Sequence, residues 1–212
     1  MLRILFGVVA LALCTPALAC DGQTGKVIFE DKFTDDSGGW AFDSGLALKA
    51  PGATLTLPAA DGGATRAALN QTFNATEGDF CVEMSFPPDA AQLASQIGVT
   101  FLATDNLNLW LAGVSADGKA ALLKLVNNKW SFVWTTAAPN NLVKIGPTDV
   151  NSVRAVVKNG TVTVIVNGQT IRSVRTQMPN GDLRFGFKAE YDKTSATPVE
   201  FPVRSYKVTS GE

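Results

Sequence analysis

The stretch Val153-Arg154-Ala155-Val156-Val157-Lys158-Asn159-Gly160-Thr161-Val162-Thr163-Val164-Ile165-Val166-Asn167-Gly168 decides the fold. Two runs rich in valine, isoleucine and threonine flank one Asn-Gly pair and precede a second. β-branched side chains suit a pleated strand, and Asn-Gly tolerates the positive φ that a tight hairpin demands. The stretch predicts a hairpin over 153–166 followed by another turn. The same grammar extends outward. Ala120–Val126 and Lys129–Thr136 face each other across Asn127-Asn128, and Leu183–Tyr191 and Val203–Val208 end the chain. Upstream, Phe80, Val82, Met84 and Phe86 alternate with Cys81, Glu83 and Ser85. Ile97, Val99, Phe101 and Ala103 repeat the period of two, as do Leu107, Leu109 and Leu111. Only Asp89–Ser95, after Pro87-Pro88, has helical composition, and it reads as a loop or a single helical turn. No linker, charge run or repeat divides the chain. A dozen or so short strands in about 190 residues fit one antiparallel two-sheet β-sandwich, an all-β fold.

Composition narrows the chemistry. The 212 residues carry 18 Lys+Arg against 19 Asp+Glu, a net charge of −1, so nothing argues for nucleic-acid binding. Histidine is absent, which excludes Ser-His-Asp and Cys-His nucleophile pairs and histidine-ligated metals.

The first nineteen residues read as an export signal. Arg3 is followed by an apolar run from Ile4 to Cys14, then Pro16 and the Ala17-Leu18-Ala19 cleavage pattern. The run is too short for a membrane span. Residues 1–19 are thus expected to be removed and 20–212 to form the single sandwich domain, secreted or periplasmic. Cleavage after Ala19 leaves two cysteines, Cys20 and Cys81, expected to form a disulfide closing a loop of about 60 residues. The competing reading lipidates Cys20, although Ala17 stands where such signals prefer a large aliphatic residue.

Three segments resemble the concanavalin A-like jelly rolls of the laminin-G and glucanase type. They are similar in particular to exported bacterial domains described as family 16 glycoside hydrolase-like or 3-keto-disaccharide hydrolase-like. The first segment is Ile28-Phe29-Glu30-Asp31-Lys32-Phe33 with Ser37-Gly38-Gly39-Trp40. The second is the hairpin ending in Asn167-Gly168, and the third is Leu183–Glu190 with Val199–Val208. The resemblance implies a curved sandwich with a ligand groove on one sheet. The glucanase signature Glu-x-Asp-x-x-Glu is absent, its nearest segment being Glu83-Met84-Ser85. The resemblance also brings calcium, for which Asp31, Asp35, Asp36 and Asp192 are the candidate ligands, although no compact calcium-loop spacing occurs. No other cofactor is implied.

Alternation nominates the groove residues. With Leu107, Leu109 and Leu111 in the core, Asn106, Asn108 and Trp110 project outward. Arg184, Lys188 and Glu190 likewise project away from Phe185, Phe187, Ala189 and Tyr191. An indole with amides and charges suits sugar recognition, and a solvated sheet face would look the same. Trp130, Phe132 and Trp134 share one face and read as core, a stacking platform being the alternative. Trp40 reads as a plug over the end of the sandwich. Glu83 and Glu190 are the acids available for a glycosidase pair, or for plain ion pairs. These readings lead to an exported, monomeric, non-catalytic carbohydrate-binding domain. The alternatives are a periplasmic glycoside hydrolase or lyase and a cell-envelope protein–protein interaction module.

Overall fold

A computed structural model describes residues 19–41, 45–139, 141–146 and 148–211; residues 1–18, which hold nearly all of the expected export signal, lie outside them. The strands are β1 (Val27–Asp31), β2 (Leu46–Leu48), β3 (Ala53–Leu57), β4 (Ala64–Leu69), β5 (Gly78–Ser85), β6 (Gln96–Asp105) and β7 (Asn108–Ser115). They continue as β8 (Ala120–Val126), β9 (Lys129–Thr135), β10 (Val150–Lys158), β11 (Thr161–Val166), β12 (Gln169–Arg175), β13 (Arg184–Tyr191) and β14 (Val199–Thr209). The segment after Pro87-Pro88 forms one helical turn, α1 (Ala90–Leu93). Two hairpins close as the sequence predicts, with both central residues at positive φ: Asn127 and Asn128 between β8 and β9, and Asn159 and Gly160 between β10 and β11; the turn expected at Asn167 and Gly168, also at positive φ, closes a third hairpin between β11 and β12.

The strands form two antiparallel sheets. One runs β12-β11-β10-β5-β14-β3-β2, with β1 also on β14, and the other runs β4-β13-β6-β7-β8-β9. Between them lies an apolar core. Phe80, Val82 and Met84 of β5 and Val153, Ala155 and Val157 of β10 meet Ile97, Val99 and Phe101 of β6 and Phe185 and Phe187 of β13. Phe185 stacks on Tyr206 with ring centres 5.4 Å apart. Trp40 joins this core. It is buried against Phe29, Phe33, Phe187 and Tyr206, and its indole N–H donates to Asp31 Oδ2 at 2.7 Å. Cys20 and Cys81 are disulfide-bonded, which leaves no Cys20 thiol for a lipid.

Candidate functional site on the six-stranded sheet

Both faces of the six-stranded sheet are apolar, and this sets the site. Trp110, Ala112 and Val114 of β7 face the core, together with Ala120 and Leu122 of β8. On the opposite side, Leu69, Ala103, Leu109, Leu111, Ala121, Leu123 and Leu125 form a second cluster. The outward set therefore holds the leucines rather than the indole, which corrects the sequence reading. Trp110 is 5% exposed and packs near Phe101. Leu107 belongs to the exposed turn between β6 and β7, not to the core.

The face is concave. Lys188 stands on β13 and Trp130 on β9, with three strands between them, a span of about 19 Å on a flat sheet. Yet the Lys188 ammonium lies 4.9 Å from the centre of the Trp130 ring. Closing that distance requires the sheet to curl and both side chains to lean inward above the leucine floor. Gly98 and Gly113, paired across β6 and β7, keep the floor low. A Cβ at Gly98 would meet the Ala112 carbonyl oxygen at 2.3 Å.

A bulge between Leu122 and Leu123 supplies the aromatic wall. It sets Phe132 opposite Leu123 and Trp130 opposite Leu125, on the concave side, while Trp134 falls opposite Leu122 and into the core. The three rings expected on one face are thus divided. Phe132 is 67% exposed. It lines a cavity of about 630 Å³ at one end of the concave face, with Gln96, Ser115, Leu123, Thr135, Glu190 and Asp192 among the walls. The Gln96 Oε1 atom is buried there with no hydrogen-bond partner. Glu190 pairs with the Lys188 ammonium. Burial pushes that ammonium below the usual lysine range, against the pull of Glu190 and Asp192. At the rim, hydrogen bonds from Lys119 and Ser115 hold the Asp117 carboxyl below its usual range.

The other predicted site residues scatter. Asn106 is exposed in the β6–β7 turn. Asn108 is committed to that turn: its amide donates to both Asp105 carboxylate oxygens at 3.0 Å, and its oxygen accepts from the Asn127 N–H. Arg184 is half-buried and donates to Gln71 Oε1 at 2.6 Å. Lys188 and Glu190 do stand on the concave face. Glu83 lies on β5 of the other sheet, buried and turned away from the core, so a Glu83–Glu190 pair is excluded. Both acids stand on outward faces of sheets about 10 Å apart, beyond glycosidase spacing. Asp31 accepts from Trp40 and from the Phe33 N–H, and Asp35 from Ser37. Among the described residues no cluster of three or more metal-ligating side chains forms, and no helix is long and apolar enough to cross a membrane. Gln96 escaped the sequence reading, although its place beside Ile97 in the alternation marks it as facing away from the core.

No protein-family model matches the chain, and no curated protein matches it in sequence. Solved structures do. A carbohydrate-binding module, CBM66, from Bacillus subtilis superposes with a TM-score of 0.59 at 12% identity, over 81% of this chain and 94% of that one. A Bacillus licheniformis β-glucanase gives 0.61 at 13% identity, over 88% and 99%. The catalytic domain of an endo-1,3-β-glucanase (laminarinase) from Thermotoga petrophila gives 0.61 at 9% identity, over 88% and 98%. The fold is a concanavalin A-like jelly roll. At these identities the likeness concerns the fold and leaves function to the site.

Proposed function

We propose that the chain is an exported carbohydrate-binding protein that holds a sugar, without cleaving it, in the cavity beside Phe132. One observation carries the reading. A two-thirds exposed aromatic ring shares a cavity with the buried, unpartnered amide oxygen of Gln96 and with the Glu190 carboxylate. A pyranose has an apolar face for the ring and hydroxyl donors for the two acceptors. Ser115 and Thr135 add hydroxyls at the same wall. The similarity to a carbohydrate-binding module and to glucanases supports the same class of ligand.

The acids at the cavity suit binding rather than cleavage. A glycosidase needs one carboxyl kept protonated to serve as general acid. Here Glu190 is engaged by an ammonium, Asp117 is held toward its ionised form, and Asp192 is exposed to solvent, without the apolar burial that would keep it protonated. A glycan-array screen of residues 20–212, followed by product analysis on every glycan that binds, tests the reading. Specific binding without product is expected. Product formation abolished by Glu190→Gln would turn the protein into the hydrolase or lyase. Failure of all glycans would favour the envelope-protein partner, to which the apolar concave floor is also suited.

A further inference from the structure

The outer face of the eight-stranded sheet holds a buried polar cluster unconnected with the concave site. The single turn Ala19–Gly22 lies over it, fastened by the Cys20–Cys81 disulfide. Beneath the turn, Arg154 of β10 is fully engaged. Its Nε donates to Asp79 Oδ1 at 3.1 Å, one terminal nitrogen pairs with Asp79 Oδ2, and the other donates to the Gly22 carbonyl at 3.2 Å. Glu83 is the second carboxylate of the cluster and is 1% exposed. It accepts from the Ser205 hydroxyl at 2.7 Å and from the Cys20 main-chain nitrogen at 3.5 Å. Among the described residues no side-chain cation pairs with Glu83. Lys207, half-buried beside Cys81 on β14, makes no ion pair with another described residue. The cluster thus holds two buried carboxylates and one guanidinium, which pairs with Asp79 and leaves Glu83 without a side-chain cation, and a buried carboxylate without a cation is costly.

Besides the Ser205 hydroxyl, the donor to this carboxylate is the Cys20 main-chain nitrogen. The Cys20 nitrogen belongs to the peptide bond that the Ala17-Leu18-Ala19 pattern marks for cleavage. We infer that the missing cation is the α-ammonium of Cys20, created when the export signal is cut between Ala19 and Cys20, and that Glu83 is its built-in receptor. Hydrolysis breaks the amide C–N bond, with water giving its hydroxyl to the Ala19 carbonyl carbon and a proton to the Cys20 nitrogen. The leader departs as a carboxylate. The new amine, whose ordinary pKa is about 7.7–8.0, takes a further proton from solvent and becomes the partner of Glu83. Processing therefore completes the fold: the disulfide holds the new terminus by its side chain and the ion pair holds it by its main chain. The inference rests on the export reading but not on the sugar site.

The test begins with the full chain exported by a bacterium and purified oxidised. Its N-terminal sequence is expected to start at Cys20, and any other start overturns the proposal. Melting is then compared with a form carrying one extra residue before Cys20, released from a fusion by a site-specific protease. The extra residue turns the ammonium into an amide and is expected to lower the melting temperature by about 5 °C or more. In Glu83→Gln the same extension is expected to cost nothing, and an equal loss in both backgrounds overturns the proposal. If Glu83→Gln does not fold, amine labelling of the native protein decides. The Cys20 amine should label at least about tenfold more slowly folded than unfolded, consistent with a buried ion pair. Equal rates overturn the proposal.

Discussion

Replacing Trp110 with alanine separates the two possible orientations of β7. The indole is buried in the core, so truncation forfeits about 3–5 kcal/mol for a large aromatic with its residual cavity. The contact of the Lys124 ammonium, 5.2 Å from the ring centre, adds about 0.5–1 kcal/mol. Against these stands the indole N–H, which is buried with no partner; deleting it relieves about 1–3 kcal/mol. The balance is a loss of about 3 kcal/mol, or about 6–12 °C in melting temperature for a chain of this size. Urea unfolding followed by fluorescence should show a lower midpoint with an unchanged slope. Trp110→Phe, which keeps a ring and removes the unpartnered donor, should lie within about 1 kcal/mol of the parent chain. Ligand affinity should survive both changes. If Trp110→Ala left stability within about 0.5 kcal/mol of the parent and abolished binding, the indole would face outward and the assignment of the concave face would be wrong.

Two further outcomes follow from the buried chemistry. Replacing both cysteines with serine opens a loop of 61 residues and should cost about 4 kcal/mol by loop entropy; thermal melts that matched those of the oxidised parent would refute it. Burial depresses the Lys188 pKa, so the native chain binds fewer protons than the unfolded one between that lowered value and 10.5. The stability this group withholds is therefore present above pH 10.5 and lost as pH falls through the lowered value. The stability difference between Lys188→Met and the parent should change as pH rises toward 10.5, in the parent's favour, and urea titrations giving a flat difference would contradict it. The buried Tyr206, whose phenol burial raises well above 10.0, destabilises both chains alike at higher pH and cancels from the comparison.

The strands from β5 to β11 and at the C-terminus are legible because alternating apolar runs and Asn-Gly corners are local signals, whereas β2, β3, β4 and β12 carry no run long enough to mark them. The hairpins at Asn127-Asn128 and Asn159-Gly160 follow from backbone preferences that need no tertiary context. Sidedness was not legible on β7. A sheet with leucines outside and an indole inside gives an alternation that both orientations satisfy. The rings of β9 fall on two faces, against their period of two, because the register shift at Leu122–Leu123 changes the face of Trp134 without leaving a mark in the composition. Glu83 does turn away from the core, as its alternation required. What the alternation could not reveal was the N-terminal turn that covers it, held by a disulfide to a residue 61 positions away. The cavity beside Phe132 joins residues of β6, β7, β8, β9 and β13, and such convergence is visible only once the sheet is ordered.

The measurement that bears most directly on the sugar site is calorimetric titration of the parent chain and Phe132→Ala with a glycan selected in the array. Phe132 is largely exposed, so its loss should change stability by less than about 0.5 kcal/mol. The stacking contact is worth about 1.4 kcal/mol, so affinity should fall about tenfold. Unchanged affinity in a folded Phe132→Ala variant would contradict the account and move the ligand off the concave face.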